Sequence, residues 1–381
     1  MKKALILTTS TGQGHNKAAE ALIEELKEYD YECVKYDFLA NTDRIINGIV
    51  INGYNIMATK APRLYGYGYK CADNRYTNKI LHLGFYRVYE KIYKYVKENN
   101  FDIIIATHPL AVNVIEKLKK KNISIPAISI VTDFKAHYAY ISKEIDEYIA
   151  ASSYTKETLV DRGIDKNKVK ALGIPINKKF YVKNDESKSQ DEEYFNILLM
   201  GGSMGMKGIS YVLSQLLNNK NKLSITVVCG KNKRLRKSLL KYENRKNDNI
   251  KVRILGFTNE IDKLMDQCDL LISKPGGITV TESIVKKVPL IIPFAIPGQE
   301  TENVSFLTSH HLAYYVKDYK EIDDVIDRII MNPNVIEEIK ENMEKMASNY
   351  STKEIAYLCN ELIKGNKVEK LNKENYSQQI G

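Results

Sequence analysis

The stretch SKPGGITVTES, Ser273 to Ser283, joins an apolar strand to a helix through Gly276 and Gly277 and carries a carboxylate, Glu282, a turn later. A strand, a glycine turn and a helix start bring backbone N–H groups and a positive dipole end to one point, which suits a phosphate or diphosphate. Two further loops have the same setting. GGSMG (Gly201–Gly205) follows the apolar run FNILLM, and GQETEN (Gly298–Asn303) follows PLIIPF. Gly202 lets the backbone approach a ligand, and Ser203 offers a hydroxyl to a phosphate oxygen. Glu282 can accept both hydroxyls of a ribose. Gln299 and Glu300, an amide beside a carboxylate, suit sugar hydroxyls, with Asn303 on the next turn. Together the loops describe a pocket for a nucleotide sugar. Each also has a plainer reading. Thr279-x-x-Glu282 matches a capping box, and GGSMG is an ordinary strand-to-helix turn that lacks the GK[ST] ending of a P-loop.

A second group lies in the first half. His15, in TGQGHNKAAEAL, stands between a Gly-rich loop and an amphipathic helix. A neutral imidazole there suits removal of a proton from an alcohol, and a helix N-terminus favours the neutral form. Asp133 and His137, in VTDFKAH, end another strand and are candidates for the same site. Helix capping is the alternative for both His15 and Asp133.

Between Asn41 and Asn100 there are ten Lys/Arg against four Asp/Glu and nine of the 26 tyrosines. Basic groups interleaved with aromatics suit an anionic surface. The run YGYGYK contributes Tyr65, Tyr67 and Tyr69. The spacing then predicts a helix over Lys79–Lys97 with an apolar stripe of Leu81, Phe85, Val88, Ile92 and Val96, and with Arg87, Lys91 and Lys94 on another face. An interfacial membrane contact would use both features. No recognised nucleic-acid motif accompanies the charge, so a nucleic-acid partner is not expected.

These groups need elements to hold them. From Lys3 onward, apolar strands alternate with amphipathic helices, the pattern of a parallel sheet covered on both faces. The strands ALILTT, YECVKYDF, DIIIATH, PAISIVTD and EYIAAS form one set; FNILLM, LSITVVCG, VRILGF, DLLIS and PLIIPF form a second. The polar stretch Val182–Tyr194 between them reads as a linker. The expected organisation is an α/β domain over 1–180, a linker at 181–194, a second α/β domain over 195–350, and a C-terminal helix with a polar, frayed tail over 351–381. All the candidate loops then sit at carboxyl ends of strands, where ligands of doubly wound sheets bind.

At 381 residues, 44% hydrophobic and 27% charged, the composition is that of a globular protein with room for two cores. No apolar run approaches the roughly 20 residues that span a bilayer, and the N-terminal ALIL is too short for a signal peptide. The five cysteines lack CxxC spacing, so neither a disulfide framework nor a metal site is expected. A cytoplasmic protein follows as the expectation.

Taken in order, TTSTGQGHNKAAEAL, VTDF..H, GGSMG, LGF, KPGG.TVTE and PGQETEN resemble glycosyltransferase family 28, within it the diacylglycerol glycosyltransferases, over about residues 3 to 360. The resemblance implies a GT-B fold, two Rossmann-like domains facing a cleft, and an inverting reaction without a metal or cofactor. It implies a UDP-sugar donor on the C-terminal domain. There Glu282 would hold the ribose, the Phe257 backbone the uracil, and Gly202, Ser203, Gly276 and Gly277 the diphosphate. Gln299 and Glu300 would meet the sugar. The acceptor would be diacylglycerol, held by the N-terminal domain at the cytoplasmic face of a membrane, with His15 as base or acceptor-positioning residue. The chain has no tryptophan, so tyrosines and Phe85 would have to serve any aromatic lipid contact. Galactose in place of glucose, an N-acetylglucosaminyl transferase for a lipid-linked precursor, a UDP-N-acetylglucosamine 2-epimerase, and a UDP-sugar sensor that recruits a protein are the alternatives.

Overall fold

Every strand pairing in the computed structural model of the chain is parallel. The described residues are 1–10, 13–41, 57, 61–75, 86–183, 193–201, 208–243 and 248–380, with side chains to 368. The first sheet comprises β1 (Lys2–Thr8), β2 (Tyr31–Asp37), β3 (Ile103–Ala106), β4 (Ala127–Ile130), β5 (Glu147–Ile149) and β6 (Val169–Lys170) in the order β2-β1-β3-β4-β5-β6. The second comprises β7 (Phe195–Met200), β8 (Leu223–Val228), β9 (Ile250–Leu255), β10 (Leu270–Ser273), β11 (Leu290–Ile292) and β12 (Ala313–Tyr315) in the order β12-β11-β10-β7-β8-β9. The second order is that of a dinucleotide-binding sheet, and in each sheet the order reverses beside its first strand. The ten strands expected from the sequence are present. The two additional ones, β6 and β12, are edge strands of two and three residues, too short to show a period.

The helices of the first unit are α1 (Gln13–Lys27), α2 (Pro62–Ala72), α3 (Tyr86–Glu98), α4 (Pro109–Lys120) and α5 (Ser153–Asp161). Those of the second are α6 (Gly208–Leu216), α7 (Lys233–Leu239), α8 (Ile261–Asp266), α9 (Gly277–Lys286), α10 (Gln299–Ser309), α11 (Ile322–Met331) and α12 (Pro333–Ala347). The last helix, α13 (Thr352–Ile380), returns to the first unit, which is made of Met1–Lys178 and Asn349–Gly381. Lys179–Ser348 form the second.

Alternation along β1 explains how the first sheet is covered. Leu5 and Leu7 face a core with Val88, Ile92 and Val96 of α3 and Val114 and Leu118 of α4. Ala4 and Ile6 face the other side, with Leu22 and Leu26 of α1 and Ile355, Ala356, Cys359 and Ile363 of α13. A doubly covered parallel strand has no polar face to spare, which is why these strands read as continuous apolar runs. Each of those two α13 isoleucines, at 0% and 3% exposure, is worth about 1.5–3 kcal/mol of burial.

Two expectations change. The tail is helical to Ile380 rather than frayed from Gly365. Docking of its first three turns removes the nucleation cost, and the Lys-, Glu- and Gln-rich continuation has the propensity to extend it. The helix expected over Lys79–Lys97 is described from Tyr86; Phe85 and Leu81 lie outside the described residues. Its buried residues include the anticipated Val88, Ile92 and Val96.

Candidate functional site

In the second unit the loop after β10 stands at the point where the sheet order reverses, between β10 and β7. Gly276 is the N-cap of α9 and Gly277 its first residue. The first intrahelical bond runs from Val280 N–H to Gly276 O at 2.9 Å, so the N–H groups of Gly277, Ile278 and Thr279 have no partner within the helix. The capping-box reading fails here: Thr279 lies inside the first turn and Glu282 in the second, so neither is placed to cap. Glu282 is 5% exposed.

Gly276 itself has an ordinary φ of −69°, and a Cβ built on it meets nothing within 4 Å among the described residues. Neither backbone strain nor packing therefore calls for glycine, whereas close approach of a bound group would. The contrast is Gly298, the N-cap of α10, whose φ of 97° does call for one. Gly202 and Ser203, from the partner loop after β7, lie outside the described residues.

The third loop holds the second one in place. Glu300 is buried; its Oε1 accepts from Lys274 Nζ at 2.6 Å and its Oε2 from Ile296 N–H at 2.8 Å. Asn303, 1% exposed, donates from Nδ2 to Pro275 O at 2.9 Å. These two residues, expected at the sugar, brace the Lys274–Gly276 turn from inside. Gln299, the first residue of α10, is half-buried. Phe257, just beyond β9, is 60% exposed with Lys231 Nζ 5.7 Å from its ring centroid.

In the first unit the order reverses between β1 and β3, and His15 is there, on the first turn of α1. Its Nδ1 lies 2.8 Å from the carbonyl oxygen of Thr107, just past β3. A carbonyl only accepts, so Nδ1 carries the proton and Nε2 is the basic atom. Burial pushes the pKa of His15 down to about 4, against the opposing pull of the Thr107 carbonyl. The ring of His108 packs edge-on against it, centroids 4.5 Å apart. His108 caps α4, its Nδ1 accepting from Leu110 N–H at 3.1 Å.

Asp133, 5% exposed, takes a hydrogen bond from the Tyr140 hydroxyl at 3.3 Å. His137 is used internally at both nitrogens: Nδ1 accepts from Ala139 N–H at 3.0 Å, and Nε2 lies 3.2 Å from Tyr69 O. Instead of offering its ring to an acceptor, it ties α2 to the 132–140 segment. Asp73, after α2, does the same: Arg162 donates to both of its oxygens, and Tyr138 N–H donates to Oδ1 at 2.8 Å. Tyr69 is half-buried against His137, and Tyr65 lies beside it. Tyr67 and Leu64 stand out, 68% and 60% exposed, with Arg63 and Lys70 exposed around them. On α3, Arg87 and Lys94 are exposed, Lys94 within 3.8 Å of Glu98, and Lys91 donates to Asn41 O.

Sequence reasoning missed Lys274, Thr107, Thr132, Tyr140 and the Asp73–Arg162 pair. Lys274 alone carried a signal, as a cation next to the glycine turn.

A family model described as monogalactosyldiacylglycerol (MGDG) synthase matches residues 15–176, and the glycosyltransferase family 28 C-terminal domain matches residues 196–357. The processive diacylglycerol beta-glucosyltransferase of Bacillus pumilus is 33% identical, over 93% of this chain and 93% of that protein. That of Bacillus subtilis is 30% identical over 91% of each. Among solved structures, Acinetobacter baumannii MurG superposes with a TM-score of 0.64 at 16% identity, covering 95% of this chain and all of that one. Anabaena HepE, solved with UDP and glucose, gives 0.55 at 16% identity, covering 96% and all respectively. The fold is thus GT-B, and the chain belongs to glycosyltransferase family 28, in its diacylglycerol glycosyltransferase branch.

Proposed function

We propose that this chain transfers a hexose, glucose by its likeness to relatives named processive diacylglycerol beta-glucosyltransferase, from a UDP-sugar to the 3-hydroxyl of diacylglycerol with inversion. The observation that carries the donor half is Gly276, a glycine N-cap with open space at its Cβ position and the free N–H groups of α9 behind it, at the reversal point of the second sheet. The N–H groups at the start of α9 receive the diphosphate and stabilise its charge as UDP departs. Gly202 and Ser203 complete that cradle, Glu282 holds the ribose, the Phe257 backbone the uracil, and Gln299 the sugar. His15 Nε2 takes the proton as the acceptor oxygen attacks the anomeric carbon and the bond to UDP breaks.

Gly276→Ala tests the donor site. Alanine fits the observed φ, and the gain of about 0.4–1 kcal/mol from a more restricted unfolded chain is offset by its being a poorer N-cap than glycine, so the variant is expected to fold with about wild-type stability. Its KM for the UDP-sugar is expected to rise about tenfold or more through the blocked approach. A folded variant with unchanged KM would remove the diphosphate from this turn.

The acceptor half rests on α2. Among the described residues no helix is long and apolar enough to cross a membrane. Leu64, Tyr67 and Cys71, at helical spacing, instead give α2 an exposed face flanked by Arg63, Lys70 and Arg75. That face enters the headgroup region of an anionic leaflet, placing the enzyme on the membrane surface. Leu64→Ser with Tyr67→Ser is expected to weaken sedimentation with phosphatidylglycerol vesicles at least tenfold. UDP-binding affinity stays as it was. Equal vesicle binding would move the contact elsewhere.

The reaction itself is tested by UDP release from UDP-glucose or UDP-galactose, with and without diacylglycerol in anionic mixed micelles, followed by lipid analysis. Release that requires diacylglycerol and yields a glycolipid is the expected result, and the better donor identifies the sugar. Tight UDP binding without turnover on either donor would overturn it.

A further inference from the structure

Asp133 and His15 do not need to touch to act together. Between them lie two hydroxyls, both on buried residues: Thr132 is 4% exposed and Tyr140 0%. Thr132 Oγ1 is 2.9 Å from His15 Nδ1 and 3.0 Å from the Tyr140 hydroxyl oxygen, which is 3.3 Å from Asp133 Oδ2. Direction is fixed at both ends. Nδ1 carries a proton because it also faces the Thr107 carbonyl, and the Asp133 carboxylate only accepts. A single orientation satisfies every member: Nδ1–H shared between the Thr107 carbonyl and Thr132 Oγ1, Thr132 O–H to Tyr140, Tyr140 O–H to Asp133. The Thr132 N–H, 3.4 Å from the Tyr140 oxygen, points the same way.

We infer that Thr132 and Tyr140 are positioning residues that couple the Asp133 carboxylate to His15 through an aligned pair of hydroxyls. The inference rests on the reading of His15 as the base. When Nε2 takes the acceptor proton, the ring becomes cationic in a part-buried place. The aligned hydroxyls and the carboxylate at their end stabilise that cation, and such chains strengthen when each member polarises the next. No proton leaves Nδ1. The acceptor proton ends on Nε2, the acceptor oxygen bonds to the anomeric carbon, and UDP leaves with the electron pair. The charged and titratable groups packed around the relay are His108 beside His15, and Tyr69 and Asp73 on the side of Asp133 and Tyr140.

The test uses the full chain with Tyr140→Phe, Thr132→Val, Thr132→Ser and Asp133→Asn, with folding checked by thermal unfolding and His15 followed by 15N NMR. Tyr140→Phe and Thr132→Val are expected to lower kcat about 10- to 100-fold at unchanged donor KM, whereas Thr132→Ser stays near wild type. The pair Asp133→Asn with Tyr140→Phe is expected to lose no more than the worse single variant, since both break one chain. In Tyr140→Phe, His15 is expected to hold a proton less readily than in wild type. A Tyr140→Phe enzyme within twofold of wild-type kcat, additive losses in the double variant, or an unmoved His15 titration would each overturn the relay. Should His15→Asn keep full activity, the base reading falls instead, and the relay is judged on the His15 titration, which needs no turnover.

Discussion

His15→Ala is expected to lower kcat by about 10²–10⁴-fold, the usual worth of a positioned general base, and to leave the donor KM within about twofold. The split follows from placement: His15 belongs to the first unit, while the groups assigned to the UDP-sugar belong to the second. Steady-state kinetics with each substrate varied in turn is the measurement; a raised donor KM with kcat intact would make His15 a binding residue. The pH dependence adds a second mark. With its pKa lowered to about 4 by burial, His15 is neutral across the physiological range, so its protonation puts no fall in rate near pH 6.5. Stability responds with the opposite emphasis. The unfolded imidazole, near 6.5, binds a proton that the folded one refuses. The stability this group contributes is therefore intact above about 6.5 and is lost as pH falls towards about 4.

The second large effect is on folding. Lys286, the last residue of α9, and Asp266, the last of α8, form an ion pair whose side chains are 3% and 5% exposed. Nζ donates to both carboxylate oxygens at 2.8 and 2.7 Å and to Val182 O at 2.6 Å. Asp266→Ala leaves a buried ammonium with, among the described residues, the Val182 carbonyl as its remaining hydrogen-bond partner and is expected to cost about 3–5 kcal/mol. Replacing both partners, as Asp266→Leu with Lys286→Met, is expected to recover most of that loss, because desolvation of the pair offsets much of its attraction. Urea unfolding of the three proteins decides it. A loss below about 1 kcal/mol for Asp266→Ala would mean that water reaches the pair. The pair also holds the far end of the helix that starts at Gly277, so the destabilised variant is expected to lose donor affinity as well.

Much of this was legible because doubly covered parallel strands are written as apolar runs; most of the ten are, while β2 and β9 carry Glu32 and Lys35, and Lys251 and Arg253, among their apolar residues. The glycine turn before Glu282 and the Gly-rich loop before His15 could be placed at strand ends for the same reason. What the sequence could not reveal was register. His15 meets Thr107 and Thr132 across 92 and 117 residues, and Lys274 meets Glu300 across 26; no periodicity encodes such pairs. Local rules also misled where a helix began three residues earlier than they assumed. Thr279-x-x-Glu282 has the letters of a capping box, but Gly276 already ends the turn. The bracing bonds of Glu300 and Asn303 to the neighbouring turn are likewise invisible in a sequence, where both are simply polar residues after a strand.

The return of α13 to the first unit has a consequence for how the protein is made. Ile355, Ala356, Cys359 and Ile363 help to close one face of the first sheet, over Ile6, Ile105 and Ile130. During synthesis that face stays partly open from the time β1, β3 and β4 emerge until α13 leaves the ribosome. Residues 179–348 have by then been available to form their own core. The usual sequence, in which the N-terminal domain folds first, is reversed: the half that emerges second can finish first, and the half that starts the chain waits for its last helix.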